Sequence, residues 1–207
     1  MPARRPRSLQ PDNPLPIGLR ERKKAKTRAA IQAQALRLFA QQGYDATTVD
    51  QIAAAAEVSQ STFFRYFPTK EDVVLHDRYD PLLIEAFHAQ PPQLRPIQAL
   101  RGAMGAVLGE LPADELELEL ARGKLIFAVP ELRARFMDQL AATIRMTAEA
   151  VAERIGRHPD DFVVRNFVGA VIGVALAAML DITENPDTDY LAAFDRGLAH
   201  LDAGLPL

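Results

Sequence analysis

Apolar residues recur along most of this chain every three or four positions, which is the spacing of one helix face. Ile31, Ala35 and Phe39 are one example, and no stretch shows the two-residue alternation of a strand. Glycine or proline stands at most junctions between these periodic stretches. The sequence therefore predicts an all-α protein of about nine helices, with a small helical domain at residues 19–68 and a larger one at residues 69–207.

Charge is distributed unevenly along the 207 residues. Residues 1–28 contain nine basic and two acidic residues, a net charge of +7, whereas the whole chain carries −3 and the remainder therefore −10. A basic segment on an acidic body favours binding to a polyanion, although a solvated basic tail is the alternative. Five prolines and few apolar residues predict that residues 1–18 form a disordered arm.

The composition excludes several kinds of site. The chain has no cysteine, which excludes disulfides and thiolate metal ligands. His76 and Asp80 have a spacing at which they could share a metal ion, but the other histidines are scattered, so we expect neither a metal nor a cofactor. The most apolar stretch, residues 167–180, is shorter than the about 20 residues of a membrane span. It predicts a buried helix and a cytoplasmic protein that does not bind membranes.

Two short helices are predicted within residues 48–67. Thr48 and Gln51 have the spacing of a capping box at the start of the first helix, while Ser59 caps the second and Pro68 ends it. Alanines give the first helix a small face that the second can cross closely. With the helix that precedes them they predict a helix-turn-helix, whose second helix enters the major groove of DNA.

The polar residues of this second helix are the predicted contacts to DNA. The helix presents outward Gln60, Ser61, Thr62, Phe64 and Arg65. Arg65 can bind a guanine or a phosphate, and Lys70 at the start of the next helix is expected to bind a phosphate. The alternative is a small helical bundle with no role in DNA binding.

Residues 48–72, TVDQIAAAAEVSQSTFFRYFPTKED, resemble the signature of the TetR family of transcriptional regulators. The run YFPTKE is the most specific part, and the resemblance covers residues 22–75. It implies a bacterial homodimer that binds operator DNA, and it adds Thr48 and Tyr66 to the expected contacts. The full predicted DNA-binding set is Thr48, Ser59, Gln60, Ser61, Thr62, Phe64, Arg65, Tyr66 and Lys70.

Two residues depart from the family pattern. Glu57 stands in the turn where a glycine is common, so we expect it to adopt a left-handed conformation at some cost. Phe64 replaces a tyrosine that is common there, so only van der Waals contact remains. Residues 59–74 are most similar to the branch of actinobacterial regulators related to the mycofactocin-system repressor, which implies an acyl-type effector.

A fourth helix is predicted from Thr69 to about His88, with a kink or break near Asp80 because of Pro81. It would connect the two domains and act as the lever between them. Pro81→Ala is then expected to uncouple ligand binding from DNA release.

The rear domain is predicted to form the dimer and to hold the effector. Small residues four apart on one helix and apolar residues on the last helix predict a dimer interface, with an intrachain core contact as the alternative. These residues are Gly169, Gly173, Ala177, Leu191, Phe194 and Leu198. Apolar residues of the middle helices could line an adaptable cavity, with core packing as the alternative for each. The predicted ligand-binding residues are Phe87, Met104, Leu108, Phe127, Phe136, Met137, Leu140, Ile144, Arg145 and Phe167.

The sequence thus predicts a ligand-responsive repressor, released from a palindromic operator by a small apolar or acyl-type effector. It is not expected to be an enzyme, because it lacks a nucleophile motif and a glycine-rich phosphate loop. A constitutive DNA-binding protein and, less consistent with the sequence, an enzyme of acyl thioesters are the alternatives.

Overall fold

The computed structural model describes residues 18–185 and 188–206, so the predicted arm lies outside the described residues except for Gly18. Within those ranges the chain is helical and has no strand, which confirms the all-α prediction. The helices are α1 Leu19–Gln42, α2 Val49–Ala55, α3 Gln60–Tyr66, α4 Lys70–Leu75, α5 Asp80–Ala89, α6 Pro96–Val107, α7 Ala113–Ala128, α8 Pro130–Ile155, α9 Phe162–Glu184 and α10 Tyr190–Asp202.

Helices α1, α2 and α3 pack around a small apolar core in which Ile52 and Phe63 are fully buried. The Thr48 hydroxyl accepts a hydrogen bond from the backbone N–H of Gln51, whose side chain accepts one from the backbone N–H of Thr48. The predicted capping box is therefore confirmed, and Ser59 caps α3 as predicted. Helices of seven residues are too short to be stable alone, so these caps and the shared core hold α2 and α3 in place.

The turn between α2 and α3 holds Glu57 at a φ of +54°, in the left-handed region, which confirms the expected conformation. Its side chain is exposed, so no packing inside the protein compensates for the strained backbone. Val58, the next residue, packs against the core between the two helices. The angle between α2 and α3 is thus fixed by a turn that glycine would adopt more easily.

We expect Glu57→Gly to raise the free energy of unfolding by about 1 kcal/mol, because the left-handed conformation costs any residue with a Cβ atom roughly that amount. Glu57→Ala is the matched control, since it removes the charge and keeps the Cβ atom. Chemical denaturation of the three proteins measures the effect. A gain in the alanine variant equal to that in the glycine variant would show that charge, not backbone strain, limits stability here.

Helices α4 and α5 are separated by residues 76–79, which we call the connector. The Asp77 carboxylate accepts hydrogen bonds from the backbone N–H groups of Tyr79 and Asp80, at 2.8 and 3.1 Å. The expected break near Asp80 is present, but Pro81 does not interrupt a helix: it lies in the first turn of α5, where a missing N–H breaks no helical hydrogen bond. The predicted single lever helix is therefore corrected to two helices and a connector, and Pro81→Ala is not a test of coupling.

Helix α4 joins the front of the molecule to its rear. Its residues 73–75 are buried in the same apolar core as Ile126 of α7. The buried side-chain amide of Gln32 in α1 donates hydrogen bonds to the backbone carbonyls of Val73 and His76, at 2.9 and 2.7 Å. Because α1, α4 and α7 share this core, a displacement of α7 has to move α4 and α1 with it.

Helix α10 packs its apolar face inside the protomer, against α6 and α9. Phe194 and Leu198 are buried there, and a Cβ atom on Gly197 would overlap Val174 of α9. The prediction that Phe194 and Leu198 lie at the dimer interface is therefore corrected, and Leu191 is only half-buried and faces the cavity described below. The amphipathic pattern of a helix indicates that its apolar face is buried, but not whether the same chain or a partner chain buries it.

Candidate DNA-binding surface and ligand cavity

Helix α3 divides into a buried and an exposed face. Phe63 is fully buried, whereas Phe64 is 45% exposed and Gln60 and Arg65 are also exposed. The guanidinium of Arg65 lies over the ring of Tyr66, 5.5 Å from its centroid. The exposed face therefore presents an amide, a cation and an aromatic edge, which are groups that can contact base edges and phosphates.

The hydroxyl groups at the start of α3 bond mainly to one another. Ser59 Oγ accepts a hydrogen bond from the backbone N–H of Thr62, at 3.1 Å, and donates one to its hydroxyl, at 2.9 Å. Ser61 Oγ lies 3.0 Å from Ser59 Oγ. Thr48, Ser59 and Ser61 are exposed and Thr62 is half-buried. The hydroxyls of Ser59 and Thr62 thus stabilise the first turn of α3, while that of Thr48 caps α2.

Lys70 is the predicted DNA contact whose geometry differs most from expectation. Its Nζ donates hydrogen bonds to the backbone carbonyls of Tyr44 and Thr47, at 2.9 and 3.3 Å, and lies 4.0 Å from the centroid of the Tyr44 ring. The Tyr44 hydroxyl in turn donates to Glu71, at 3.0 Å. Lys70 thus ties the start of α4 to the loop before α2, and a phosphate would have to compete with these contacts.

A cavity of about 280 Å³ lies among α5, α6, α7, α8, α9 and α10. Five of the predicted ligand-binding residues line it: Met104, Leu108, Phe127, Phe136 and Leu140. Three of the residues predicted for the dimer line it too: Leu191, Phe194 and Leu198. The apolar part of the wall is therefore formed by both groups.

The other predicted ligand-binding residues lie elsewhere. On α8 the residues facing the cavity include Phe136, Leu140 and Thr143, so Met137, which is 52% exposed, and Arg145 point away from it. The remaining three belong to core packing beside the cavity: Phe87, Ile144 and Phe167. The periodicity of α8 identified an apolar helix, but not which of its faces the cavity would meet.

A buried ion cluster forms the polar wall of the cavity. Arg122 of α7 is buried, and its three nitrogens donate hydrogen bonds to Glu119, to the backbone carbonyl of Val74 at 3.1 Å and to Asp77 of the connector at 2.7 Å. Its positive charge is thus balanced by two carboxylates. In this position Arg122 holds the connector against α7.

Asp80 and Tyr190 also belong to the polar wall, and neither was predicted from the sequence as an effector contact. Asp80 accepts a hydrogen bond from the hydroxyl of Thr143, at 3.2 Å. Burial and the adjacent charge of Asp77 raise the pKa of Asp80 to about 6. Burial, together with the charge of Asp77, raises the pKa of Tyr190 to about 12, so its hydroxyl keeps its proton at neutral pH.

Comparison with known proteins shows the family. The model described as bacterial regulatory proteins of the tetR family matches residues 31–76, and the model described as the MftR C-terminal domain matches residues 94–206. This chain belongs to the TetR family. The match at residues 94–206 also confirms the branch expected from residues 59–74, and members of the family are transcriptional regulators.

Curated relatives in the family match over nearly their full length. The transcriptional regulator TcmR of Streptomyces glaucescens is 38% identical over 195 residues, covering 89% of this chain and 86% of TcmR. MftR of Mycobacterium tuberculosis is 32% identical over 189 residues, covering 89% of this chain and 93% of MftR.

A solved structure with a similar fold is that of the TetR-family repressor FadR of Thermus thermophilus in complex with lauroyl-CoA. It has a TM-score of 0.54 and 26% identity, covering 87% of this chain and 95% of that one.

Helix α9 has an exposed apolar side. At 23 residues it is long and apolar enough to cross a membrane by length and composition alone, and it is only partly buried, unlike the buried helix expected from the sequence. Gly169, Gly173 and Ala177 are exposed, and apart from the adjacent backbone of α9 and the neighbouring residues no described atom lies within 4 Å of the Cβ position of either glycine. Phe162 is 78% exposed and Leu180 49%. In this TetR-family chain α9 therefore offers a continuous face that the protomer itself does not cover.

We expect Asp80→Asn to stabilise the protein at neutral pH. Because folding raises the pKa of Asp80 above its value of about 3.9 in an unfolded chain, its ionisation costs roughly 3 kcal/mol of stability once the pH exceeds both values. The advantage of the variant should be largest above pH 6 and shrink as the pH falls towards 4. Denaturant unfolding of both proteins from pH 4 to 8 measures it; an advantage that is independent of pH would contradict the assignment.

Proposed function

We propose that this TetR-family regulator is a homodimeric repressor that leaves a palindromic operator when a small, largely apolar effector binds the cavity. The location of the cavity's polar wall carries the proposal. Asp77 and Tyr79 of the connector, with Asp80 of α5, line the cavity, and the connector follows directly on α4, which shares a core with α1. The division at residue 68 into a DNA-binding and an effector-binding domain is part of the same proposal.

The effector acts by binding more tightly to one of two conformations of the dimer, the DNA-binding state or the released state. A ligand with equal affinity for both states does not change the equilibrium between them. A ligand that contacts the connector or displaces α7 changes the position of α4, and through Gln32 the position of α1. In a dimer this alters the distance between the two α3 helices, which has to match half-sites about 34–36 Å apart.

The second copy of the chain covers the exposed face of α9. Small residues along this face let two helices approach closely, and Phe162 and Leu180 add apolar area at its ends. A partner on this face accounts for an apolar helix in a protein that works on DNA in the cytoplasm, since no membrane is then needed to cover it.

An acyl-type effector is the second candidate. It is supported by the likeness to FadR of Thermus thermophilus in complex with lauroyl-CoA and by the match to the MftR C-terminal domain. A constitutive DNA-binding protein remains the alternative to any effector, and it predicts that no cavity ligand changes the affinity for DNA.

We expect Arg65→Ala and Thr62→Ala each to weaken sequence-specific binding to the operator, because each removes a side chain from the outer face of α3. Loss of one good base contact lowers discrimination by about 1–3 kcal/mol. Fluorescence anisotropy with DNA from upstream of the gene, against scrambled DNA at fixed salt, measures it. Arg133→Ala is the control, since it removes an equal charge from an exposed site on α8. Equal losses in the arginine variants would indicate a purely electrostatic effect.

We expect Gly173→Glu to dissociate the dimer without unfolding the protomer. The Cβ position of Gly173 has open space around it in the protomer, so only a partner chain would meet the new carboxylate. Sedimentation velocity gives the oligomeric state and circular dichroism the fold. Gly105→Glu, at an equally open glycine of α6, is the control and should stay dimeric. A dimeric Gly173→Glu protein would place the interface on another face.

A further inference from the structure

The cavity wall contains more acidic than basic side chains. Its ionisable lining includes the carboxyl groups of Asp77, Asp80 and Glu119, and the guanidinium of Arg122 is the one strongly basic group that lines it within residues 18–185 and 188–206. These groups form one contiguous cluster, since Arg122 contacts Asp77 and Glu119, and Asp77 accepts from the backbone of Asp80. The rest of the wall is mostly apolar. The polar part of the cavity therefore has an excess of negative charge.

Arg122 is already engaged by partners of the protein itself. Each of its three nitrogens already donates a hydrogen bond to Glu119, Val74 or Asp77. A carboxylate that displaced one of these partners would leave a buried acceptor or charge without its hydrogen bond, which is unfavourable. The Asp77 carboxylate is equally committed, since one oxygen accepts two backbone N–H groups and the other accepts from Arg122.

The groups that remain for a ligand are one carboxylate oxygen, which accepts hydrogen bonds, and one hydroxyl, which accepts or donates them. Asp80 Oδ2 accepts from Thr143, while its Oδ1 has no hydrogen-bond donor among the described residues. Tyr190 lines the same cavity, and its hydroxyl likewise bonds to none of the residues in the described part of the chain. The raised pKa of Asp80 is consistent with this environment, because burial and the nearby carboxylate of Asp77 already disfavour its negative charge.

We propose that the cavity selects effectors with an apolar body and a hydrogen-bond-donating end, a hydroxyl or an ammonium group, that binds Asp80 and Tyr190, and that it rejects effectors whose buried end is a carboxylate. This inference rests on the proposal above that the cavity is the effector site, and it narrows that proposal to one chemical class. An ammonium would neutralise Asp80, whereas a hydroxyl would donate to it without changing the charge. A carboxylate would bring a further negative charge into a low-dielectric wall whose one cation among the described residues, Arg122, is already paired with two carboxylates.

Three probes with the same chain and different ends test the selectivity: decylamine, 1-decanol and decanoate, each below its micelle concentration at pH 7.5. Isothermal titration calorimetry with the wild type should rank decylamine and 1-decanol at least about tenfold tighter than decanoate, a difference of about 1.4 kcal/mol. The comparison of amine and alcohol shows whether charge or hydrogen bonding dominates. Decanoate binding as tightly as either of the others, or no binding by any probe, would overturn the proposal.

Asp80→Asn identifies the residue responsible. It keeps the size of the side chain and an acceptor for Thr143 but removes the charge, so decylamine should lose about tenfold in affinity while 1-decanol changes little and decanoate gains. Asp160→Asn, an equal change of charge at an exposed site before α9, should leave all three affinities unchanged. An Asp80→Asn protein with the wild-type ranking would show that Asp80 does not select the ligand. Unfolding curves confirm that each variant is folded.

Operator release is measured separately by anisotropy with the same probes. Decylamine or 1-decanol that binds but leaves the affinity for operator DNA unchanged would contradict the effector role while the selectivity of the cavity stands. Decanoate that binds tightly and releases DNA would contradict the selectivity of the cavity and support the effector role, since the regulator would then respond to an acyl-type effector. The two proposals therefore fail in different measurements.

Discussion

A guanidinium group without water around it has to find an acceptor for each of its nitrogens, and Arg122 finds them on three segments. Glu119 belongs to its own helix, the carbonyl of Val74 to α4 and Asp77 to the connector. Loss of one partner of a buried ion pair typically lowers the free energy of unfolding by about 3–5 kcal/mol. We therefore expect these contacts to form and break together. This cluster, together with the apolar core and the hydrogen bonds of Gln32, sets the position of α4 relative to α1 and α7.

The same cluster also contains an interaction that destabilises the folded protein. Asp80 lies beside Asp77 but has no bond to Arg122, so it faces a like charge in a poorly hydrated place. Groups that destabilise the folded state in this way tend to occur at functional sites, where a ligand can relieve the unfavourable interaction. Binding at this wall would then change the stability of the connector itself, which is how a small molecule of about the cavity's size can influence a surface some helices away.

Local rules predicted the front of the molecule well, whereas contacts between distant segments escaped them. The caps at Thr48 and Ser59 and the left-handed Glu57 depend on neighbouring residues and were all expected. Asp77 and Arg122 are 45 positions apart, and nothing in their sequence neighbourhoods indicates that they meet. The apolar face of α10 was recognised but assigned to the wrong partner, because periodicity reports that a face is covered and not what covers it.

Helix α3 keeps its two faces separate within seven residues. Phe63 is enclosed by the core, whereas Gln60 and Arg65 contribute almost nothing to it. Replacing an exposed side chain away from caps and cores usually changes stability by less than about 0.5 kcal/mol. Gene duplication could therefore give descendants of this protein new operators by exchanging the outer residues of one short helix, while the scaffold that positions them and the cavity behind it stay as they are.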